Sequence, residues 1–104
     1  MNDGLKDTVR RDLVSLLTSN PKVKRIVLFG SRAMGTYRPA SDIDLALEGP
    51  ELHLLDLLEF KRLIAEQNLL LDVDLLIYDS ISNKALLSHI ARHGVCWWPR
   101  RNEE

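Results

Sequence analysis

The chain has 104 residues, of which 45% are hydrophobic, and it carries a formal net charge of −1. This length and composition predict one compact domain, which we place at residues 1–98, followed by a flexible tail at residues 99–104. The near-neutral charge argues against strong direct binding to nucleic acid, because such binding depends on concentrated positive charge. A protein is therefore the favoured large partner.

The sequence also predicts a compartment. The single cysteine, Cys96, has no second cysteine with which to form an intramolecular disulfide, and the N-terminus lacks the basic and apolar regions of a secretory signal. No apolar run approaches the roughly 20 residues that a membrane span requires. We therefore expect a cytoplasmic protein that has no contact with a membrane.

Hydrophobic periodicity predicts helices and strands that follow one another along the chain. The predicted elements are helix 5–19, strand 23–29, strand 41–47, helix 51–67, strand 71–78, helix 82–93 and strand 95–98. The first helix carries an apolar face that should cover one side of a sheet. The succession of elements predicts an α/β (α+β) fold in which helices pack against the sheet.

A Gly-Ser pair follows the first predicted strand. Gly30 accepts backbone angles that are closed to other residues, and it lets the chain approach a ligand closely. Ser31 opens a helix and presents its hydroxyl beside free backbone N–H groups, an arrangement that suits the phosphates of a nucleotide. Taken alone, the pair has an alternative interpretation as an ordinary turn with a helix cap.

Two aspartates lie close together on the next predicted strand. Alternation over residues 41–47 places Asp42 and Asp44 on one face, with α-carbons roughly 6 to 7 Å apart. Side chains at this spacing can bridge metal ions, and a divalent cation such as Mg²⁺ relieves the repulsion between them. Asp-x-Asp alone also fits the exposed face of an edge strand. Its distance from Gly30-Ser31 favours a site that joins phosphate and metal.

The predicted helix over residues 51–67 has a wide apolar stripe. The residues assigned to its buried face are Leu54, Leu57, Leu58, Ile64 and Ala65, and Leu55 and Phe60 broaden the stripe. A stripe of this width indicates either deep burial in the core or an exposed apolar patch that docks a partner.

A third carboxylate is expected from the alternating strand at residues 71–78. An aspartate within an apolar strand is costly unless it is paired or bound to metal. We choose Asp74, which would act as general base on an attacking hydroxyl and touch the catalytic metal. Asp72 stands at the entrance of the strand, where it is either the alternative third carboxylate or a solvated end residue.

The C-terminal part of the chain supplies scaffold. His89 and His93 share one face of the predicted helix 82–93, and with no third ligand apparent a helix C-terminus explains them better than a metal site. Trp97 and Trp98 are adjacent on the last strand, so they should face opposite ways, with one ring exposed. The exposed ring would serve as a docking anchor or pack at the sheet edge.

The chain resembles the minimal nucleotidyltransferases (MNTs) of the DNA polymerase β-like superfamily over about residues 23–98. Three motifs carry the resemblance: Gly30-Ser31-Arg32-Ala33-x-Gly35, Ser41-Asp42-Ile43-Asp44-Leu45 and Val73-Asp74-Leu75-Leu76. It implies a mixed β-sheet and the transfer of a nucleoside monophosphate from a triphosphate to a hydroxyl. Many relatives carry a basic residue at the position of Met34, so one phosphate or acceptor contact is expected to be missing.

The same resemblance implies roles for individual residues and for two Mg²⁺ ions. The residues implied for nucleotide binding are Gly30, Ser31, Arg32 and Ser41. The residues implied for catalysis and for metal binding are Asp42, Asp44 and Asp74. Larger relatives carry additional domains that hold the acceptor, so we expect another molecule to position the acceptor for this chain.

Single-domain proteins of this type resemble the antitoxin of a two-protein module whose toxin is a small helical ribonuclease of the HEPN family. In that system the MNT transfers AMP from ATP to a tyrosine of the toxin, which implies ATP as substrate and a HEPN-type partner in a hetero-oligomer. A tyrosine hydroxyl is a feasible acceptor because its modest acidity eases deprotonation. Two alternatives stay open: an inactive module that neutralises its partner by occlusion, and a nucleotide sensor without transferase activity.

Overall fold

A computed structural model describes residues 3–100, in which four strands form one sheet. The strands are β1 (Arg25–Phe29), β2 (Ile43–Glu48), β3 (Val73–Ile77) and β4 (Val95–Trp98). Their order across the sheet is β3-β2-β1-β4. β1 pairs antiparallel with β2 and β4, whereas β2 and β3 run parallel, so the sheet is mixed as the resemblance implied.

Helices cover both faces of this sheet. Within the described residues they are α1 (Asp7–Thr18), α2 (Gly30–Met34), α3 (Leu54–Ala65) and α4 (Lys84–His93), with a short 3-10 turn at Tyr78–Ser80. α1 and α3 contact each other on one face, and α4 covers the opposite face. α2 lies at the end of β1, where it contacts α4 and contributes Ala33 to the core under α1 and α3. The predicted α/β (α+β) fold, with helices packed against a mixed sheet, is therefore confirmed.

Alternation along β2 divides the apolar core between the two faces. Ile43 and Leu45 are fully buried in the larger cluster, which α1 and α3 cover. Ala46 belongs to a smaller cluster beneath α4, with Val27, Phe29 and Ile90. Asp44 is two residues from Ala46, so its side chain leaves the sheet on the same face. The pattern of burial thereby places this carboxylate on the side of α4.

α3 buries a different stripe from the one that we predicted. Phe60 and Ile64 lie in the core, whereas Leu54 and Leu58 are 67% and 52% exposed. The exposed members of the predicted stripe are Leu54, Leu55, Leu58 and Ala65. Burying Phe60, the bulkiest side chain of this helix, turns the side that carries Leu54 and Leu58 away from the sheet. The predicted face is wrong in part, and an apolar patch is exposed where α3 begins.

The two tryptophans contradict the expectation that they face opposite ways. Ile26 pairs with Trp98 and Val27 pairs with Cys96, so Trp97 is an extra residue that forms a β-bulge on β4. The bulge interrupts the alternation, and both rings contact the larger core cluster. Because Trp97 is buried and Trp98 is half-buried, neither ring is the fully exposed docking anchor that we considered.

The predicted C-terminal tail is described only at its start. Residues 101–104 lie outside the described residues, so the boundary between domain and tail stays a prediction. Within residues 3–100, no helix combines the length and the apolar character needed to cross a membrane.

Candidate active site

Gly30 forms the corner between β1 and α2. Its φ of +76° lies in the left-handed region, which glycine adopts without strain. A side chain at this position would collide with the carboxylate of Asp44, so the backbone of the corner lies directly against that carboxylate. The predicted phosphate turn and the predicted metal-binding strand therefore meet at one place, and the half-buried Ser31 follows in the first turn of α2.

Asp44 and Asp74 lie side by side on adjacent parallel strands. The register pairs Asp44 with Asp74, which sets their α-carbons about 4.8 Å apart and directs both side chains to one face. Burial, the charges of Asp74 and Asp42, and a hydrogen bond with Asp74 raise the pKa of Asp44 to about 6. Three acidic side chains therefore share one electrostatic environment.

Asp42 precedes β2 instead of lying within it. We predicted that the strand begins at Ser41, but it begins at Ile43. The Ser41 N–H donates to the carbonyl oxygen of Arg38 at 2.9 Å, and this turn keeps the chain out of the sheet until Ile43. The Asp42 side chain is exposed, yet its charge still raises the pKa of Asp44.

Asp72 takes a structural position at the entrance of β3. Its carbonyl oxygen accepts a hydrogen bond from the Ile43 N–H at 2.9 Å, and its side chain is exposed. The carboxylates that act on the pKa of Asp44 are those of Asp74 and Asp42. The position of Asp74 beside Asp44 therefore supports its choice as the third carboxylate.

The charges of Asp42 and Asp74 act on Asp44, but the three side chains are not arranged tightly around one point. Among residues 3–100, no three side chains of His, Cys, Asp or Glu are grouped tightly enough to hold a metal as they stand. Their donor chemistry nevertheless fits a divalent cation, because a double positive charge between Asp42, Asp44 and Asp74 would offset the repulsion that, after burial, raises the pKa of Asp44. Asp42 and Asp74 are exposed, so rotation about their side-chain bonds can turn them towards an ion.

The raised pKa of Asp44 predicts how the metal-free protein responds to pH. A pKa raised from 3.8 to about 6 means that the neutral carboxyl stabilises the folded state below about pH 4, and that this contribution is lost as pH rises through 6. Partial exposure screens the effect to on the order of 1 kcal/mol. In EDTA, the free energy of unfolding of Asp44→Asn should therefore rise relative to that of wild type by about 1 kcal/mol between pH 4 and pH 8, as measured by thermal denaturation. A constant difference between the two proteins would contradict the raised pKa.

Arg32 makes contacts that differ from the nucleotide contact implied for it. The side chain is buried, and its guanidinium donates to the carbonyl oxygens of Asp3 at 2.9 Å, Ser41 at 3.1 Å and Pro39 at 3.2 Å. It also lies 5.0 Å from the centre of the Tyr37 ring. Because its donors are directed at the backbone, Arg32 anchors the loop that leads into β2 to helix α2.

Ser41 closes the same loop. Its hydroxyl oxygen accepts a hydrogen bond from the Arg38 N–H at 2.7 Å, while its carbonyl oxygen accepts from Arg32. Ser41 immediately precedes Asp42 in the chain, so the hydrogen bonds of Arg32 and Ser41 fix the backbone position from which the Asp42 side chain extends. Arg32 and Ser41 thus support the site through the backbone.

We expect Arg32→Lys to lower the free energy of unfolding by about 2 kcal/mol, because one ammonium group cannot satisfy carbonyls on separate segments. Urea denaturation measures this change. Arg38 is exposed on the same loop, and Arg38→Lys is the matched control, expected to stay within about 0.5 kcal/mol of wild type. Equal stability of Arg32→Lys and wild type would rule out the anchoring role.

His89 joins the site although no sequence pattern pointed to it. Its Nε2 atom accepts a hydrogen bond from the backbone N–H of Gly30 at 2.9 Å. Its ring stands edge-on to Phe29, with ring centres 6.2 Å apart, and 5.3 Å from the ring of His93. The contact spans 59 positions of sequence and exists only because α4 packs against α2, so no local motif could have revealed it.

The fold is similar to that of chains in solved toxin–antitoxin structures. One, a toxin–antitoxin with AMP-PNP, gives 31% identity and a TM-score of 0.74 over 88% of this chain and 74% of that chain. A mutant of the toxin–antitoxin MntA–HpeT gives 29% identity and a TM-score of 0.73 over 88% of this chain and 74% of that chain. A third structure is described as a tri-AMPylated Shewanella oneidensis HEPN toxin in complex with MNT antitoxin. It gives 26% identity and a TM-score of 0.70 over 90% of this chain and 72% of that chain.

The family comparison covers most of the sequence. No curated protein matches this chain significantly. The model of the family described as "Polymerase beta, Nucleotidyltransferase" matches residues 11–103, a range that includes Gly30, Asp44 and Asp74. Together with the mixed sheet and the meeting of the Gly30 corner with Asp44, this match confirms the predicted resemblance. The chain belongs to the polymerase beta-type nucleotidyltransferase family.

Proposed function

We propose that this chain is a Mg²⁺-dependent nucleotidyltransferase that transfers AMP from ATP to a tyrosine hydroxyl of a HEPN-type toxin and thereby acts as an antitoxin. The observation that carries the proposal is the position of Asp44, which lies against Gly30 and beside Asp74. Support for AMP and for the partner comes from similarity to chains in structures with AMP-PNP and with a tri-AMPylated HEPN toxin.

In this proposal Gly30 and Ser31 bind the triphosphate. The Ser31 hydroxyl can donate a hydrogen bond to a phosphate oxygen, and Gly30 lets the same corner lie directly against the Asp44 carboxylate. Arg32 and Ser41 keep the adjoining loop in place through their contacts with its backbone. We thus assign these two residues a supporting part in nucleotide binding.

Asp42 and Asp44 would hold two Mg²⁺ ions, and Asp74 would complete the ligands of one of them. When bound, Mg²⁺ supplies positive charge that offsets the charge of the phosphates and eases ionisation of the acceptor hydroxyl. Asp74 takes the proton of the tyrosine hydroxyl as general base. The phenolic oxygen forms a bond to the α-phosphorus, the bond from that phosphorus to the bridging oxygen breaks, and pyrophosphate leaves.

The exposure of Asp74 suits an acceptor that belongs to another protein. Its side chain is exposed at the edge of the sheet, since β3 is the outermost strand beside β2. A tyrosine on a partner can therefore reach Asp74 without any opening of the fold. The net charge of −1 favours a protein over a nucleic acid as the carrier of this hydroxyl.

Release of pyrophosphate distinguishes transfer from the two alternatives. The purified chain would be incubated with Mg²⁺, ATP and a co-expressed HEPN-type partner, and with each of these left out in turn. We expect release only when all are present, because the acceptor hydroxyl completes the reaction. Binding of ATP without release would indicate a nucleotide sensor, and inhibition of the partner without nucleotide would indicate occlusion.

A further inference from the structure

The first N–H group of α2 has a partner from a distant helix. The residue that precedes α2, Phe29, makes no side-chain hydrogen bond that caps this end. The first N–H groups of a helix have no acceptor within the helix itself, so they need one from elsewhere. For Gly30 that acceptor is Nε2 of His89, at 2.9 Å, on α4.

His89 is itself held in place. Its ring is half-buried, edge-on to Phe29 at 6.2 Å and tilted against His93 at 5.3 Å. Because Nε2 accepts the hydrogen bond, the neutral ring carries its proton on Nδ1. The side chain therefore offers a fixed acceptor to the backbone of Gly30.

The position of Gly30 determines the position of two groups that the proposed reaction uses. Its backbone abuts the Asp44 carboxylate so closely that a Cβ atom has no room. Ser31 follows directly, so a shift of Gly30 moves both the proposed phosphate ligand and the proposed metal ligand. Displacements of about 1 Å at a reacting site cost on the order of a hundred-fold in rate.

We propose that His89 is a positioning residue that fixes the Gly30 corner for nucleotide binding. This inference rests on the proposed function, because it assigns His89 a part in the same site. His89 touches neither the nucleotide nor the metal ligands in this account. It acts through the Gly30 N–H, and any side chain that places an acceptor at the same point should replace it.

The test compares His89→Leu, which removes the acceptor at similar volume, with His89→Gln, whose amide oxygen can occupy the place of Nε2. Ser88→Leu is the control, since Ser88 is exposed on the same helix beside His89 and its replacement also introduces a leucine. Two quantities are measured in each protein: the rate of amide hydrogen exchange of Gly30 by NMR, and the Kd for AMP-PNP with Mg²⁺ by calorimetry. Neither measurement requires the acceptor protein.

We expect His89→Leu to speed exchange at Gly30 about ten-fold or more and to raise the Kd about ten- to a hundred-fold, as loss of a partner for a partly buried donor implies. His89→Gln and Ser88→Leu should stay within about three-fold of wild type in both measurements. Unchanged exchange in His89→Leu, an unchanged Kd, or equal losses in His89→Leu and His89→Gln would each overturn the inference. A wild type that binds no AMP-PNP would instead overturn the proposed function together with its use of His89.

Discussion

Asp44→Asn and Asp42→Asn are each expected to slow AMP transfer on the order of a thousand-fold, because each removes a negative charge that would hold Mg²⁺ at the phosphates. The double variant should show no transfer above background. The loss of activity should not come from unfolding, since removing the half-buried charge of Asp44 relieves both the desolvation and the repulsion that raise its pKa. The rate of AMP incorporation into a HEPN-type partner measures the effect.

Asp12 provides the control for this experiment. It is exposed on α1, on the face of the sheet opposite Asp44, so Asp12→Asn should transfer AMP at the rate of wild type. Asparagine variants at positions 42 and 44 that kept more than about a tenth of wild-type activity would show that these carboxylates do not hold a catalytic metal.

Asp74→Asn is expected to slow transfer by about a hundred- to a thousand-fold, since it would remove both the general base and a metal ligand. Asp72→Asn should lower the rate less than about three-fold, because Asp72 precedes the strand and does not act on Asp44. Steady-state kinetics with ATP and the protein acceptor measure both variants. Both aspartates are exposed, and Asp72 lies just before the edge strand that carries Asp74, so they form a matched pair.

The expected pattern for Asp74→Asn is a fall in kcat with a smaller change in the KM for ATP. This pattern follows because Asp74 is assigned to the acceptor hydroxyl, whereas Gly30 and Ser31 are assigned to the phosphates. If Asp72→Asn were the inactive variant and Asp74→Asn the active one, the assignment of the third carboxylate would be reversed.

Strand alternation predicted polar faces for Asp44 and Asp74, and the structure brings these two side chains together. Period-two patterning placed Asp42 and Asp44 on one face and Asp74 on the polar face of a second strand. The structure adds the register in which Asp44 lies opposite Asp74. A pattern within one strand cannot specify that register, because it depends on how β2 and β3 align through the helix between them. The start of β2 was also set by a turn, closed by the Ser41 N–H, that periodicity does not reveal.

Tertiary packing decided what the sequence could not predict. An arginine next to a phosphate-type turn suggests a residue that binds an anion. Arg32 is instead buried against a loop whose carbonyl oxygens accept hydrogen bonds from its guanidinium. α3 offered two apolar sides, and the volume of Phe60 determined which of them faces the sheet. The β-bulge at Trp97 places both tryptophan rings against the same core cluster, whereas we expected them to face opposite ways. Each of these outcomes depends on neighbours that are distant in sequence.

The central claim is covalent transfer of AMP to a protein, and mass spectrometry tests it most directly. A HEPN-type partner would be incubated with this chain, Mg²⁺ and each ribonucleoside triphosphate, and its intact mass and modified peptide would be determined. We expect increments of AMP on a tyrosine with ATP, and none with the Asp42→Asn/Asp44→Asn variant. A tight complex without any mass increment, whichever triphosphate is supplied, would contradict transfer and leave occlusion as the mode of neutralisation.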